Sequence, residues 1–590
     1  MQLHRAFIPL LVGVLTGAAI LAAPTPTVIT SDHPDSVQRG ITEAYRTGQK
    51  RIVIPAGTYY IKPPSAGSHL QFHGMSDFEI DARDVHFVFT DQTRGGIEFL
   101  NCRSVRLRGA SIRFEIPPFT QAVVEGIAPD GAWYDVRVEK GYPTNFDDAR
   151  YFPAQPIGYL FDSKTRWWKP GTYDLYGQAI KRLGTDRFRV FWNVPAGPRL
   201  HPVAVGDLMG FRGSGPHNVT IVTSTRVSLI GVTIYNAGSF AVWESGGDGD
   251  NHYSITVKRG PRPPEAVTDP LFSSTADAFH STDVRKGPVL EQCYFEAMAD
   301  DGIAIHGTYS LVLRAEGNKF VINHGNFRPG DPLRLFDPRG QPAGEALVRS
   351  IQPFEGFHNT KKSQRAAISD HTGGPYFEVM LDRLLPADFD YLVSNPAATG
   401  SGYVLRENTI RNHRARGMLL KADNGLVEGN LIEGSTMGGI VVTPEFWWYE
   451  GDYSRNVTIR NNTIRQVAYA PRQLGAVLVA AVGEKPIHGC GHQHIVLDGN
   501  RFEDLNGVNL FISSACDVTV KNNLFIRPQR FRVEAGGIDE EPGSLIDVTQ
   551  AKDVRFETNT ILGMGRFNTR IIHVSSTASV SGLQSGVKLK

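Results

Sequence analysis

The sequence predicts an all-β fold: a right-handed parallel β-helix interrupted by two small antiparallel β-barrel-like modules. The first observation is an imperfect repeat in which apolar residues alternate and a Gly or Asn corner precedes x-Ile or x-Phe. The second is the spacing between copies, which is often 22 or 23 residues. The third is length, because 590 residues exceed one ordinary compact core but suit a repeat solenoid.

Each copy of the repeat is interpreted as strand, tight corner and strand. Gly and Asn tolerate the left-handed backbone that such a corner needs. One coil cannot bury its apolar face alone, so successive coils must stack. The copies are Val227–Ile234, Leu313–Phe320, Tyr403–Ile410, Gly425–Ile432, Val457–Ile464, Ile495–Phe502, Val518–Phe525 and Val554–Ile561, with an early relative at Val105–Ile112.

The elements follow in order along the chain. Residues 24–115 are predicted to hold an N-terminal cap, with a short helix at Ile41–Tyr45, and the first coils, starting at Arg51–Ile61. The helix would cover the open end of the solenoid, where strand edges are otherwise unpaired. Coils with the candidate catalytic residues are expected at 212–328, and the last coils at 395–590.

The repeat is broken at residues 116–211 and 329–394. The first break carries the hairpin-like runs Trp133–Val138 and Phe188–Trp192, and the second carries Glu345–Ile351 and Tyr376–Leu381. Both are predicted to be inserted antiparallel β modules. The sequence leaves open whether they wall an active groove or are ordered segments without a direct role.

Residues 1–23 are predicted to be a cleaved signal peptide. A short basic start is followed by the apolar run Phe7–Leu21 and then by Ala22-Ala23. A membrane anchor is the alternative, but a span needs about 20 apolar residues, so no stable membrane insertion is expected. Export to the periplasm, the cell surface or the medium follows.

Charge and cysteine content exclude several classes of function. The chain has 61 basic and 60 acidic residues, a net charge of +1, and thus no electrostatic reason to bind nucleic acid. The four cysteines, Cys102, Cys293, Cys490 and Cys516, are widely spaced and form no CxxC pair. We therefore expect no disulfide framework and no cysteine metal site, with Cys293 and Cys516 as buried free thiols in strands. The oligomeric state is left open.

The candidate catalytic residues are three aspartates. Asp277 precedes Asp300 by 23 residues and Asp301 by 24, which is one coil. Stacked strands lie about 4.8 Å apart, so all three carboxylates should meet on one wall. Ordinary polar corner residues are the alternative, since Asp-Asp-Gly is a common turn sequence.

Hydrolysis of a glycosidic bond needs one carboxylic acid to protonate the leaving oxygen and one carboxylate to activate water or attack carbon. Crowded carboxylates supply the protonated member, because repulsion raises one pKa. Diagonal placement across two coils suits the roughly 6.5–9.5 Å gap of an inverting enzyme. The spacing therefore favours inversion.

Further polar and aromatic residues fall on the same or the next coils. Trp rings can stack on sugar C–H faces, while charged groups hold hydroxyls, although core packing for the Trp residues and structural roles for the His residues remain alternatives. No metal and no cofactor is expected. The candidate substrate-binding residues are Arg416, Lys421, Trp447, Trp448, Glu450, His280 and His306.

The segment Asp300–Gly307, with Asp277 one coil earlier, resembles the β-helical glycoside hydrolases. In polygalacturonases an Asn-Thr-Asp motif is followed one coil later by Asp-Asp-Cys-Ile-Ala-Ile. This chain has Thr275-Ala276-Asp277 and Gly302 in place of Cys, and it lacks the downstream Arg-Ile-Lys signature.

The sequence is more similar to glycoside hydrolase family 110, the exo-acting α-1,3-galactosidases, over most of the mature chain. That resemblance implies inversion without a metal on terminal α-1,3-linked galactose, as in blood-group-B-type glycans. It also implies that Asp300 is the general acid and that Asp277 and Asp301 activate water. The expected partner is then a galactose-terminated oligosaccharide or glycoconjugate.

Two other classes of function stay open. One is another β-helical enzyme, a polygalacturonase-like hydrolase or a lyase, although a lyase needs a cationic or calcium-assisted site for uronate. The other is a carbohydrate-binding β-helix without catalysis, which long uniform repeats without clustered acids would favour.

Overall fold

The computed structural model describes residues 36–172, 174–193, 202–359, 361, 373–469, 475–481, 487, 489–529 and 540–590. The predicted signal peptide lies outside these residues. The described chain is nearly all β, and none of its helices is long and apolar enough to cross a bilayer. Its helices are the α-helices Ser36–Arg46 and Leu583–Gly586 and the 3-10 helices Pro396–Ala398 and Phe446–Trp448.

A right-handed parallel β-helix forms the body of the molecule, as the sequence predicts. Two of its faces belong to one 24-stranded sheet, because the bent strands Ser228–Ile234 and His252–Val257 pass from one face to the other. In chain order the strands of this sheet are Arg51–Val53, Gly57–Ile61, Ser76–Asp81, Val85–Phe89, Arg103–Arg108, Ser111–Phe114, Ser228–Ile234, His252–Val257, Val289–Glu291, Tyr294–Glu296, Val404–Arg406, Thr409–His413, Leu426–Glu428, Leu431–Ser435, Arg455–Arg460, Thr463–Arg465, His492–Asp498, Arg501–Glu503, Ala515–Lys521, Leu524–Ile526, Lys552–Glu557, Asn559–Leu562, Val580–Ser581 and Val587–Leu589.

The third face is a parallel stack that carries the candidate catalytic residues. Strand Glu450–Gly451 leaves this stack and pairs antiparallel with Ile303–Thr308. The strands of the stack are Leu70–His73, Ile97–Leu100, Val219–Val222, Val242–Ser245, Phe279–Thr282, Ile303–Thr308, Met418–Leu420, Ile440–Val442, Val477–Val479, Leu510–Ile512, Ser544–Val548 and Arg570–Val574.

Stacked asparagines hold the corners of the later coils together. Asn462 donates from its amide nitrogen to the Asn500 side-chain oxygen at 2.9 Å, and its own oxygen accepts from Asn430 at 2.8 Å. The amide ladder satisfies buried polar groups that would otherwise cost free energy. It also explains why Asn recurs before x-Ile and x-Phe. The ladder comprises Asn408, Asn430, Asn462, Asn500, Asn523 and Asn559.

The predicted cap helix is present and longer than expected, from Ser36 to Arg46. It buries Val37, Ile41 and Ala44 against the first coil. The hydroxyl of Tyr45 accepts a hydrogen bond from the Ser76 amide at 3.0 Å. The helix therefore covers the strands at this end of the solenoid.

Two closed antiparallel barrels interrupt the solenoid. The first has its own core, which includes Phe146, Phe188 and Phe211. The strands of the first barrel are Phe119–Ile127, Trp133–Val138, Ile157–Phe161, Leu175–Arg182, Arg187–Trp192 and Leu208–Arg212. Those of the second are Ser310–Glu316, Lys319–Ile322, Pro332–Phe336, Pro342–Pro353, Phe377–Leu381 and Leu392–Ser394.

The second barrel starts earlier than predicted. The repeat copy Leu313–Phe320 is not a coil of the solenoid, because its two strands pair antiparallel with Glu316 opposite Lys319. Gly317 and Asn318 form the two-residue turn between them. Gly-Asn is a turn signal for hairpins as well as for coil corners, so alternation alone could not separate the two. The barrel begins at Ser310, whereas residue 329 was predicted.

The cysteine prediction is wrong for Cys516, which forms a disulfide with Cys490. The stacked strands His492–Asp498 and Ala515–Lys521 place Cys516 opposite Gln493, close to Cys490. One coil of separation, 26 residues in sequence, therefore brings the two thiols together. Cys102 and Cys293 are buried free thiols.

Candidate active site

The three aspartates meet at the start of two neighbouring strands of the third face. Phe279 pairs with Ile303, so Asp277 stacks directly on Asp301 and Asp300 precedes it by one residue. One oxygen from each carboxylate lies within 4.8 Å of the others. The predicted cluster of carboxylates is therefore present. The wider gap between acid and base that diagonal placement predicts is not found, so the distance between the carboxylates does not by itself support inversion.

Asp301 is held by Arg416 from the next coil. The guanidinium donates from Nε to Oδ1 at 2.9 Å and from Nη2 to Oδ2 at 2.8 Å, and the Arg416 amide also donates to Oδ1 at 2.7 Å. Burial raises the pKa of Asp301, but Arg416 outweighs it and holds the pKa below its usual value. Asp301 is therefore an ionised carboxylate with a fixed orientation.

Asp300 is the most accessible of the three, with a side chain 23% exposed against 5% for Asp277 and 3% for Asp301. Arg414 donates to its Oδ1 and also binds Asp174 of the first barrel at 2.5 Å. Burial raises the pKa of Asp300, although Arg414 opposes that rise. One arginine thus joins the inserted barrel to the aspartate cluster.

Asp277 is bound to a pair of histidines. Its Oδ2 lies 2.7 Å from His280 Nδ1, and His280 Nε2 lies 2.8 Å from His306 Nε2. Burial raises the pKa of Asp277 to about 7, more than His280 lowers it. Burial also lowers the pKa of His306 to about 4, so His306 is neutral.

Lys421 occupies a buried position between two glutamates. Its ammonium donates to Glu445 at 2.7 Å and to Glu450, and its side chain is 0% exposed. Glu445 also accepts from Arg416 Nη1 at 2.8 Å. Charges therefore alternate from Asp301 through Arg416, Glu445 and Lys421 to Glu450.

The segment between these glutamates carries the two predicted tryptophans. Trp448 is 58% exposed, while Trp447 is partly buried, and both belong to the 3-10 helix Phe446–Trp448. Because Glu445 and Glu450 at its ends both bind Lys421, the segment is fixed beside the cluster.

The predicted substrate-binding residues thus fall into two groups. Trp447 and Trp448 are partly or largely exposed, whereas the charged residues and histidines are engaged with protein partners around the aspartates. Those engaged side chains are Arg416, Lys421, Glu450, His280 and His306.

Within the part of the chain that the structure describes, ligand-type atoms come together in two sets, the three aspartates and the trio His280, His306 and Glu450. In both sets the atoms already have hydrogen-bond or ion-pair partners, among them two arginines and Lys421. These partners already bring positive charge to the carboxylates. We assign neither set as a metal site.

A cavity of about 140 Å³ opens where the first barrel meets the solenoid, beside the catalytic cluster. It brings together aromatic rings, a carboxylate and the Arg414 guanidinium that binds Asp300. The mixture suits a sugar, which has apolar C–H faces and polar edges. The lining residues are Tyr159, Leu160, Trp168, Thr172, Asp174, Tyr176, Arg414, Thr436 and Met437.

Sequence reasoning did not identify Asp174 as part of this site. Asp174 lies 240 residues before the arginine that it binds. The repeat of the coils does not predict which residues of an inserted barrel contact a coil. Glu445, by contrast, follows one coil after Arg416, and its position beside Trp447, Trp448 and Glu450 indicates a role in sugar binding from the sequence alone.

Comparison with known families and proteins agrees with this architecture. The family model described as right handed beta helix region matches residues 397–582. The chain is 24% identical to Alpha-1,3-galactosidase B of Akkermansia muciniphila over 551 residues, 85% of this chain and 65% of that protein. It is 24% identical to Alpha-1,3-galactosidase B of Bacteroides fragilis over 82% of this chain and 87% of that protein.

Alpha-1,3-galactosidase A of Shewanella woodyi is 20% identical, covering 86% of this chain and 82% of that protein. Among solved structures, a catalytic domain of a GH87 alpha-1,3-glucanase aligns with a TM-score of 0.46 at 11% identity over 96% of this chain and 70% of that chain. The Family 28 exopolygalacturonase of Yersinia enterocolitica aligns with a TM-score of 0.40 at 11% identity, covering 95% and 77% of the two chains. The resemblance drawn from the sequence is confirmed by the curated relatives, and the chain is a glycoside hydrolase built on a parallel β-helix.

Proposed function

We propose that this glycoside hydrolase removes terminal α-1,3-linked galactose from glycans with inversion at the anomeric carbon. The observation that carries the assignment of hydrolysis is the cluster of Asp277, Asp300 and Asp301 on adjacent coils, with one oxygen of each carboxylate within 4.8 Å of the others. The relatives named Alpha-1,3-galactosidase support the choice of sugar and linkage. The expected substrates are blood-group-B-type branched glycans and linear α-1,3-galactosides.

Asp300 is assigned as the general acid. It is the most accessible of the three carboxyl groups, and burial raises its pKa, which favours the protonated form that a leaving oxygen requires. Its bond to Arg414 leaves the second carboxyl oxygen available to the substrate. The proton moves from Asp300 to the glycosidic oxygen as the bond to the anomeric carbon breaks.

Asp277 and Asp301 are assigned as the pair that activates water. They stack on adjacent coils, and O–H···O hydrogen bonds measure about 2.7–2.8 Å, so one water bound to both spans roughly 4.5 Å between carboxylate oxygens. That span agrees with the separation within 4.8 Å. Arg416 occupies both oxygens of Asp301, which disfavours this residue as a nucleophile and supports inversion.

The substrate is proposed to bind between the first barrel and the segment with Trp447 and Trp448. Exposed Trp448 offers an aromatic face to a sugar beyond the cleaved bond. The cavity beside Arg414 offers polar and aromatic contacts on the barrel side. We also propose export through a cleaved signal peptide at residues 1–23, which would bring the enzyme to glycans outside the cytoplasm.

The test is incubation of the purified chain with a panel of α-galactosides that differ in linkage and branching. We expect galactose release from α-1,3-linked substrates, with the β-anomer as the first product in a time-resolved NMR spectrum. Asp300→Asn should lose activity on oligosaccharides and lose less on aryl galactosides with good leaving groups. If the first product were α-galactose, inversion would be contradicted. An unsaturated product that absorbs in the ultraviolet would show that the reaction is an elimination and not a hydrolysis.

A further inference from the structure

His280 is too enclosed to serve mainly as a sugar ligand. Its side chain is 11% exposed, and both ring nitrogens are occupied, Nδ1 by Asp277 and Nε2 by His306. Its ring stacks on Phe240, with centroids 4.2 Å apart and planes 11° apart. The side chain is therefore fixed in place behind a catalytic carboxylate.

The hydrogen-bond partners determine where the protons lie. His306 Nδ1 faces the carbonyl oxygen of Gly307 at 3.0 Å, and a carbonyl only accepts, so Nδ1 carries the proton. Neutral His306 then has a bare Nε2, which must accept from His280 Nε2 at 2.8 Å. His280 Nε2 is protonated as a result.

One proton remains to be placed in the 2.7 Å contact between Asp277 Oδ2 and His280 Nδ1. If this proton were absent while His280 kept its Nε2 proton, two lone pairs would oppose each other. If His280 moved its single proton to Nδ1, the contact with His306 would place two bare nitrogens together. The geometry therefore retains one proton in this contact, and with that proton on Nδ1 the pair is an imidazolium beside a carboxylate.

The surroundings of His280 agree with a positive charge there. The nearby cation Lys421 disfavours a positive charge on His280. Glu450, which lies 3.8 Å from His306 Nε2, favours that charge. Burial disfavours the charge, but the hydrogen bond and charge of Asp277 outweigh it, and the pKa of His280 is raised. The Phe240 face adds a cation–π contact.

The other charged or titratable groups around this pair belong to neighbouring coils. Asp300 and Asp301 face Asp277 from the next coil. His217 stacks on the far side of Phe240, and its pKa is lowered to about 4 by burial and by the charge of His280. His217 is therefore neutral and adds no second cation to the stack.

We propose that His280 is a cationic positioning residue that favours the ionised form of Asp277 against its burial, and that His306 fixes this state by accepting the proton of His280 Nε2. The proposal rests on the function proposed above, in which Asp277 is a base. The water proton then passes to the free oxygen of Asp277 while the water oxygen bonds to the anomeric carbon. The glycosidic bond breaks, the leaving oxygen takes the proton of Asp300, and both ring protons of His280 stay in place.

The test combines NMR of the full chain with pH profiles. In protein labelled with ¹⁵N-histidine and without substrate, we expect His280 to show two ring N–H signals at pH 7, assigned by their loss in His280→Gln. A single ring N–H on His280 would overturn the proposal whatever the enzyme's activity. Two ring N–H signals in a protein inactive on all galactosides would leave the proton assignment intact and overturn the proposed function.

Matched variants at His306 separate proton control from packing. His306→Gln supplies a carbonyl oxygen that can accept from His280, whereas His306→Leu cannot. We expect the acid limb of kcat/KM to move to higher pH by about one to three units in His306→Leu and in His280→Gln, because the burial of Asp277 is no longer offset. His306→Gln should keep both the wild-type limb and the two N–H signals, and an acid limb that stays unchanged in His306→Leu would refute the role of His306.

Discussion

Asp174→Asn tests whether the inserted barrel controls the general acid. Arg414 binds both Asp174 and Asp300, so removing the charge of Asp174 leaves the guanidinium to Asp300 alone. It also removes a nearby negative charge that disfavours ionisation of Asp300. Both effects lower the pKa of Asp300, and the alkaline limb of kcat/KM should move to lower pH.

The size of the shift follows from the geometry of two carboxylates on one guanidinium. At a separation of about 6 Å and an effective dielectric constant of about 20, the repulsion between the carboxylates of Asp174 and Asp300 is ~2.8 kcal/mol. This energy corresponds to a pKa shift of about two units. Side-chain exposures of 17% for Asp174 and 23% for Asp300 allow partial screening, which reduces the expected shift to about one unit.

The assay is kcat/KM for a linear α-1,3-galactoside from pH 4 to 9. Asp135→Asn is the matched control, because Asp135 pairs with Arg189 in the same barrel at 2.7 Å without contact to the cluster. Its profile should coincide with that of the wild type. An alkaline limb that stays in place in Asp174→Asn, or moves to higher pH, would refute the reasoning.

Three further predictions concern stability and binding. Lys421→Met leaves the carboxylates of Glu445 and Glu450 without their ammonium partner, and chemical denaturation at pH 7 should show a loss of about 3–5 kcal/mol in the free energy of unfolding. The loss should shrink as falling pH protonates Glu450, and an equal loss at all pH values would contradict the prediction. Asn462→Ala interrupts the buried amide ladder and should lower the free energy of unfolding by about 1–3 kcal/mol, whereas unchanged thermal and chemical unfolding would count against it. Trp448→Ala should raise KM for oligosaccharides about two- to tenfold with an unchanged melting temperature, and an unchanged KM would remove Trp448 from the binding surface.

The solenoid and the meeting of the three aspartates could be predicted because both depend on a regular stacking distance. Asn430 and Asn462 recur at corners since each amide satisfies its neighbour, and Asp277 and Asp301 meet because they are one coil apart. Contacts that cross between modules follow no period. The bond from Asp174 to Arg414 therefore could not be predicted.

Two predictions from the sequence are wrong, the start of the second barrel and the free thiol of Cys516, and both errors arise from local sequence that does not determine which strands or residues pair. The hairpin at Gly317 uses the same alternation and turn residues as a coil corner, and only the direction of pairing distinguishes them. Cys516 lies in a regular strand, as expected, but its partner Cys490 stands just before the neighbouring strand, where no repeat fixes the register. The sequence indicates which charged residues surround Lys421, but it does not indicate which of these side chains form ion pairs with one another.

The coils on either side of each barrel pair as though no residues intervened. Ile97 pairs with Val219 across the first barrel, and Ile303 pairs with Met418 across the second. The chain therefore leaves and re-enters the solenoid at points separated by about one strand spacing, roughly 4.8 Å. A barrel of different sequence, or a short loop, could be exchanged at either junction without altering the register of the aspartates. The contacts that the barrels add, among them the bond from Asp174 to Arg414, can therefore change, in nature or by design, while the stacking of the aspartates is inherited intact.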